Sequence, residues 1–401
     1  MARQQSSVTI RVAVGSAVAV ALLAIAVAIA AAAVTVTFAR TVITPPKRRQ
    51  EDLLVLALTE DTITLSPALD SMTPGRYSLW FTGDSGHARV GEILSYTASN
   101  VTRQLLGVDF GDISSARHGR FSGWYFLDPR DLGLPVEDVE VQTELGPAPA
   151  WLVRAAEPSG RWMIGVHGRA VRRAETIRSV PVFHEAGYTS LLVTYRNDGD
   201  APRTKDHRYA LGDTEWVDVE SAMRFAIDHG ATEIVLMGWS MGGAMVLQVV
   251  TRSPLAAAVR GVILESPVVD WVTALDFHGV ANRLPKPLRL GVLQLLGSRW
   301  ARFVTGQAAP VDLARLDLVT RSGELDVPIL LLHSDDDGFV PPDASIALAQ
   351  ARPDIVTFER FVTARHTKLW NYDEARWNTA IASWLARLSP ASARTGNRPR
   401  S

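Results

Sequence analysis

Residues Val12 to Phe38 form a run of 27 residues without one charge, rich in Ala, Val, Ile and Leu. No other feature of the chain limits its fold and surroundings as strongly. As an α-helix the run would be roughly 40 Å long at about 1.5 Å per residue. The hydrocarbon core of a bilayer is about 30 Å thick, so such a helix crosses it with tilt or frayed ends. A signal peptide carries a shorter apolar stretch, about 7–15 residues. Ala31-Ala32-Ala33 still offers small residues of the kind found at a cleavage site. The run has no polar face, which argues against a helix packed on a soluble body. The expectation is a single-pass transmembrane helix over 12–38 behind a short flank, 1–11, with cleavage as the alternative. Arg3 and Arg11 lie on one side; Arg40, Lys47, Arg48 and Arg49 lie on the other. Positive-inside counting leaves the side of the membrane undetermined.

Residues 1–50 hold six Lys/Arg and no acid, so the rest of the chain carries a net charge of −7. A net-negative body argues against nucleic acid as a partner. The absence of Cys excludes disulfides, thiolate zinc sites and a Cys nucleophile. No His spacing matches a metal motif, so neither metal nor cofactor is expected.

Beyond the apolar run, residues 39–50 read as a basic linker stopped by Pro45-Pro46. Residues 51–135 read as a β-rich accessory region, with strand-like segments at Thr62–Leu65, Tyr77–Phe81 and Val90–Leu94. From 136 to 388 short apolar runs alternate with helical stretches. Unbroken apolar strands imply burial on both faces, as in a parallel sheet beneath helices, and a hairpin at 139–154 gives an antiparallel start. An insertion at about 268–326 interrupts the alternation and reads as a helical cap; Trp271, Phe277, Leu284, Trp300 and Phe303 make it apolar. Residues 389–401 read as a disordered tail.

Gly238-Trp239-Ser240-Met241-Gly242-Gly243 lies between a strand and a helix, the context that a G-x-S-x-G nucleophile turn requires. The glycines let two chain segments approach, and the turn presents Ser240 at a helix start that favours negative charge. A serine nucleophile needs a base, and the base an orienting acid. The expected chain order is Ser, acid, His. Asp337, in Asp337-Gly338-Phe339-Val340-Pro341, is the candidate acid, with Asp335 the alternative. His366 is the one histidine beyond that loop and the candidate base; His333 reads as structural. An oxyanion needs two N–H donors. The amide of Met241 is one candidate. The amide of Arg169, after His167-Gly168 at a strand end, is the other, and its side chain faces either the pocket or solvent.

On these residues, in this order, the segment 136–388 resembles the α/β-hydrolase superfamily, including its serine aminopeptidase-like and esterase-like branches. The resemblance implies an α/β fold with a mostly parallel eight-stranded sheet, helices on both faces, a cap, and acyl-ester chemistry. The expectation is a membrane-anchored serine hydrolase with carboxylesterase or lipase-like activity on a small-molecule or lipid-like acyl substrate. A peptidase or acyltransferase of the same fold, or a catalytically silent membrane-anchored binding protein, are the alternatives. The sequence names no substrate-binding residue and no oligomeric state.

Overall fold

The computed structural model describes residues 2–46 and 49–388, with side chains from residue 16 onward. Lys47, Arg48, the side chains of Arg3 and Arg11, and the tail expected at 389–401 lie outside the described residues. Helix α1 spans Ala2–Ile43 and so runs past the expected end at Phe38. Nothing between Ala39 and Ile43 breaks a helix, and Pro45 then disfavours helical backbone at Thr44. The stretch long and apolar enough to cross a membrane is Ser16–Ile43. Its two ends differ. Side chains such as Leu22, Leu23 and Ile29 are exposed, whereas Thr35, Ala39 and Ile43 are buried. A spacing of four puts those three on one face, so the last turns of α1 are docked on the body.

The next six strands are β1 (Leu53–Leu58), β2 (Thr62–Leu65), β3 (Tyr77–Phe81), β4 (Gly86–Tyr96), β5 (Val101–Phe110) and β6 (His118–Ser122). They close into a barrel in the order β1-β2-β5-β4-β3-β6, every pairing antiparallel. Closure removes the free strand edges that a small open sheet would expose. Leu53, Ile63, Leu65, Tyr77, Leu79 and Val101 fill it. Arg103 is fully buried and donates to the carbonyls of Gly91 (2.9 Å), Ser71 (2.9 Å), Thr73 (2.8 Å) and Gly75 (2.6 Å). Its guanidinium thereby holds the β2–β3 connection against the barrel.

The remaining chain begins with the hairpin β7 (Glu137–Thr143) and β8 (Gly146–Val153). Then come β9 (Arg161–Val166), α2 (Val180–Glu185), β10 (Thr189–Val193), α3 (Trp216–Asp228), β11 (Glu233–Trp239), α4 (Met241–Arg252) and β12 (Val259–Glu265). The cap supplies α5 (Trp271–Ala281), α6 (Lys286–Leu296) and α7 (Arg302–Thr305). It is followed by β13 (Ile329–Ser334), α8 (Asp343–Ala351), β14 (Val356–Phe361), α9 (Leu369–Tyr372) and α10 (Glu374–Arg387). The eight strands order as β14-β13-β12-β11-β9-β10-β8-β7, parallel from β14 to β10. Alternate residues serve opposite faces: Ile164, Leu236, Leu264 and Leu331 enter one core, and Met163, Val235, Ile263 and Leu330 the other. Burial on both faces is why these strands read as continuous apolar runs. Helix α6 lies against α1, where Gly291 leaves only 3.1 Å between an added Cβ and Thr35.

Arg103→Met should destabilise the barrel by about 3 kcal/mol, because four carbonyls, three of them buried, lose their donor together. Hydrogen exchange of the β4 and β5 amides would read it; unchanged protection there would contradict this role for Arg103.

Candidate active site

Ser240 stands between β11 and α4 with φ 52° and ψ −116°, a strained conformation for a residue with a side chain. The surrounding packing forces it. A Cβ on Gly238 would lie 2.6 Å from Gly242, and one on Gly242 would lie 2.2 Å from the Val166 carbonyl. Neither contact is possible, so both positions must be glycine for β11, α4 and β9 to meet.

His366 comes from the connection after β14. Arg365 and Thr367 both have positive φ, so the chain turns sharply on either side of it. The turn carries the ring over Ser240, whose hydroxyl lies 3.0 Å from Nε2. On the other side Nδ1 donates to Asp337 Oδ2 at 2.8 Å. Asp337 is buried, and its Oδ1 accepts from the amides of Phe339 (2.9 Å) and Val340 (2.8 Å). Burial alone would raise its pKa. The charge of His366 and hydrogen bonds from His333 and His366 outweigh burial and hold the carboxyl far below the usual carboxylate range. Asp335 instead faces outward and pairs with Arg360 at 2.7 Å. The structure thus brings Ser240, His366 and Asp337 into one hydrogen-bonded chain and leaves Asp335 outside it. His333 lies under the acid, 3.2 Å from Asp337 Oδ2.

The loop after β9 approaches from the opposite side. A Cβ on Gly168 would lie 3.3 Å from Ser240 Cβ. The Gly168 carbonyl accepts from Tyr195 Oη (2.7 Å) and from His167 Nδ1 (2.8 Å). A trans peptide points its N–H opposite to its C=O, so pinning that oxygen fixes the direction of the Arg169 amide. Met241 opens α4, where an amide has no partner within the helix. The half-buried Arg169 side chain borders the cavity beside α1 and is tied to that helix. Its Nη2 donates to the carbonyls of Thr41 (2.7 Å) and Thr44 (3.0 Å), capping the C-terminal end of α1.

Several residues that shape the site carry no sequence motif. Glu175 is buried and accepts from the Gly168 amide at 2.7 Å. Arg178 is buried and donates to Gly123 (3.0 Å) and Thr367 (2.8 Å) carbonyls and to Asn371 Oδ1 (2.9 Å). Glu265, at the end of β12, accepts from the indoles of Trp239 (2.8 Å) and Trp377 (2.9 Å). The barrel also reaches the histidine connection: Asp70 pairs with Lys368 at 2.6 Å, and Asn371 donates to the Arg76 carbonyl at 2.9 Å. Among the described residues no three His, Asp or Glu side chains converge as metal ligands.

The alpha/beta hydrolase family model matches residues 163–377, more than half of the chain. The chain belongs to the alpha/beta hydrolase family. Residues 54–122, the barrel, match a family described as a domain of unknown function. No curated protein sequence matches this hydrolase. Two crystal forms of an esterase from Pyrococcus furiosus superpose with a TM-score of 0.51 at 17% and 18% identity, over 66% of this chain and 95% and 97% of theirs. An esterase from a Rhodococcus species shares 17% identity over 63% of this chain and 99% of its own, with a TM-score of 0.44. These likenesses describe the fold.

In this α/β-hydrolase the loop after β9 rests on Asp198, whose Oδ2 accepts from the Ala170 amide at 3.1 Å. Burial pushes the Asp198 carboxyl up to about 6, with the hydroxyls of Tyr209 and Tyr195 opposing. Its ordinary value is 3.8. Ionising it in the folded state therefore costs stability that is absent below the ordinary value and complete above about pH 6. Asp198→Asn stays neutral throughout. The Tm of the variant minus that of wild type should rise between about pH 4 and about pH 7. A difference flat across that window would show that Asp198 is not buried as a costly anion.

Proposed function

We propose that this chain hydrolyses an acyl ester through a serine acyl-enzyme. The observation that carries the reading is the hydrogen-bonded chain Ser240–His366–Asp337 at a strained turn. In the proposed reaction the Ser240 oxygen attacks the ester carbonyl carbon while its proton passes to His366 Nε2. The carbonyl oxygen becomes an oxyanion held by the amides of Met241 and Arg169. Collapse breaks the ester bond, and His366 gives its proton to the departing alcohol. Water then gives a proton to His366 and attacks the acyl-serine, and release of the carboxylic acid returns the proton to Ser240. Asp337 stays ionised and holds the Nδ1–H tautomer throughout.

The second part of the proposal is anchorage by α1. Its exposed apolar surface is what a membrane-crossing helix presents to lipid. The docking of residues 35–43 on the body favours retention of the helix over its removal as a signal sequence.

Ser240→Ala and His366→Ala should each lower ester turnover by about 10⁴-fold or more without loss of fold, and Asp337→Asn by a similar factor. Asp335→Asn should stay within about twofold. Labelling by a fluorophosphonate, followed by ester kinetics, reads all four; a fully reactive Ser240→Ala protein would refute the nucleophile. For the anchor, the chain should remain in the membrane pellet after alkaline carbonate washing with residues 1–43 intact by mass spectrometry. Release into the supernatant would contradict it.

A further inference from the structure

An apolar cavity of about 660 Å³ lies between α1 and the cap. One wall is α1 itself: Ala33, Val34, Thr37, Phe38, Thr41 and Val42. These residues recur every four positions, so they form one stripe along the helix, roughly 13 Å long. The facing wall includes Leu284 from the cap and Phe339 from the loop that carries Asp337. The inner end adjoins the site. The Phe339 ring centroid lies 5.0 Å from that of His366, and Arg169, whose amide is the proposed oxyanion donor, also lines the cavity.

The outer end points to the bilayer. From Ser16 to Val34 α1 is exposed apart from half-buried Ala31, and Thr35 is the first buried residue. The charge-free run begins at Val12, and the helix from there to Val34 is roughly 34 Å long, enough to cross the roughly 30 Å hydrocarbon core. With a bilayer around that run, the body lies at its surface, and Ala33 and Val34 stand near that level. The cap beside α1 has the matching surface. Between Asp276 and Asp312 the sequence has no acid and carries Arg283, Lys286, Arg289, Arg299 and Arg302. Among these basic residues Leu290, Trp300 and Phe303 are exposed, Phe303 by 78%. Exposed aromatic and apolar side chains amid cations are the composition of a surface that meets lipid headgroups.

We propose that the groove along α1 takes the acyl chain of an ester resident in the host bilayer, which moves along the helix from the hydrocarbon to Ser240. The helix is then the substrate's guide as well as the anchor. This rests on the serine-hydrolase reading above and adds the substrate class. A single chain fits because the stripe is one helix face wide, with Phe339 and Arg169 lining the cavity beside the site.

The test uses the full chain in phosphatidylcholine–phosphatidylglycerol vesicles, with nitrophenyl hexadecanoate and nitrophenyl butanoate as probes. Thr37→Trp fills the groove from an exposed position, and Ala33→Trp blocks its outer end. Each should lower the ratio of kcat/KM for hexadecanoate over butanoate by about tenfold, the worth of burying about two methylenes. Leu22→Trp, on the same helix but outside the groove, should leave the ratio unchanged. Fluorophosphonate labelling of each variant at the wild-type level confirms an intact site, so a misfolded variant is recognised and the other decides. A ratio that stays at the wild-type value in both groove variants overturns the groove. A fluorogenic hexadecanoyl lipid ester separates bilayer from aqueous delivery. It should be hydrolysed when it shares vesicles with the protein and spared in separate vesicles; equal rates overturn delivery from the host bilayer. Hydrolysis of butanoate that survives Ser240→Ala would instead refute the underlying reading, independently of the groove.

Discussion

The buried guanidinium of Arg178 joins parts of the chain that are far apart in sequence. One nitrogen of it donates to the residue that leaves the barrel, Gly123, and to the residue after His366, Thr367. A second nitrogen lies 3.7 Å from Glu265, the last residue of β12. A charge at 1% exposure is tolerable only when such partners surround it. Three acceptors converge on the one nitrogen Nη1, while Nη2 is held by charge alone. The position of His366 over Ser240 thus depends on the barrel being folded and docked. Gly123 shows how close the docking is: an added Cβ would lie 2.5 Å from the Thr367 carbonyl.

The parts legible in the sequence are those written locally. The turn around Ser240 needs glycines within two residues of the serine, so its steric demand appears as a short pattern. The five strands β9 to β13 are buried on both faces and therefore appear as apolar runs, whereas β14, at the sheet edge, is partly exposed. Asp337 was separable from Asp335 by its spacing to Val340-Pro341, and the backbone gives that spacing a reason: the amides of Phe339 and Val340 close onto the carboxylate. The barrel was legible only as strands. Its closure depends on β1 meeting β6 and on bulged pairing between β4 and β5, which no short window contains. Glu175, Arg178 and Glu265 were invisible for the same reason, since a buried ionic group is defined by what packs around it.

The docking of α1 was hidden by composition. A helix that is apolar on every side gives no periodic signal to separate a lipid-facing surface from a protein-facing one. Only the small and hydroxylated residues near its end, Thr35, Thr37, Ala39 and Thr41, mark the change, and they do so weakly. The cap residues illustrate the complementary problem. Trp271 is buried, donating to the Leu211 carbonyl at 2.7 Å; Leu284 lines the groove; Phe303 is exposed. An aromatic or aliphatic residue in a cap can pack, line or project, and its type alone does not choose.

The end of α1 is wired to the loop beside Ser240 through more than one path. The Ile43 carbonyl accepts from the Tyr209 amide at 2.8 Å. The Tyr209 hydroxyl donates to Asp198, which in turn holds the Ala170 amide. Arg169 stacks over the Tyr209 ring and caps the last turn of the helix. Arg49, just beyond, donates to the Ala170 carbonyl. A helix C-terminus presents unpaired carbonyls with partial negative charge, so a guanidinium there is held by both hydrogen bonds and the dipole. The amide proposed to stabilise the oxyanion belongs to that same arginine. Its direction is therefore fixed from two sides, by Tyr195 and His167 through the Gly168 carbonyl and by α1 through the guanidinium. A displacement of the helix end relative to the body has to be absorbed within residues 168–170, next to Ser240. The helix end and the loop beside Ser240 are mechanically one unit, so on the anchored reading proposed above the bilayer becomes a boundary condition on the geometry around Ser240.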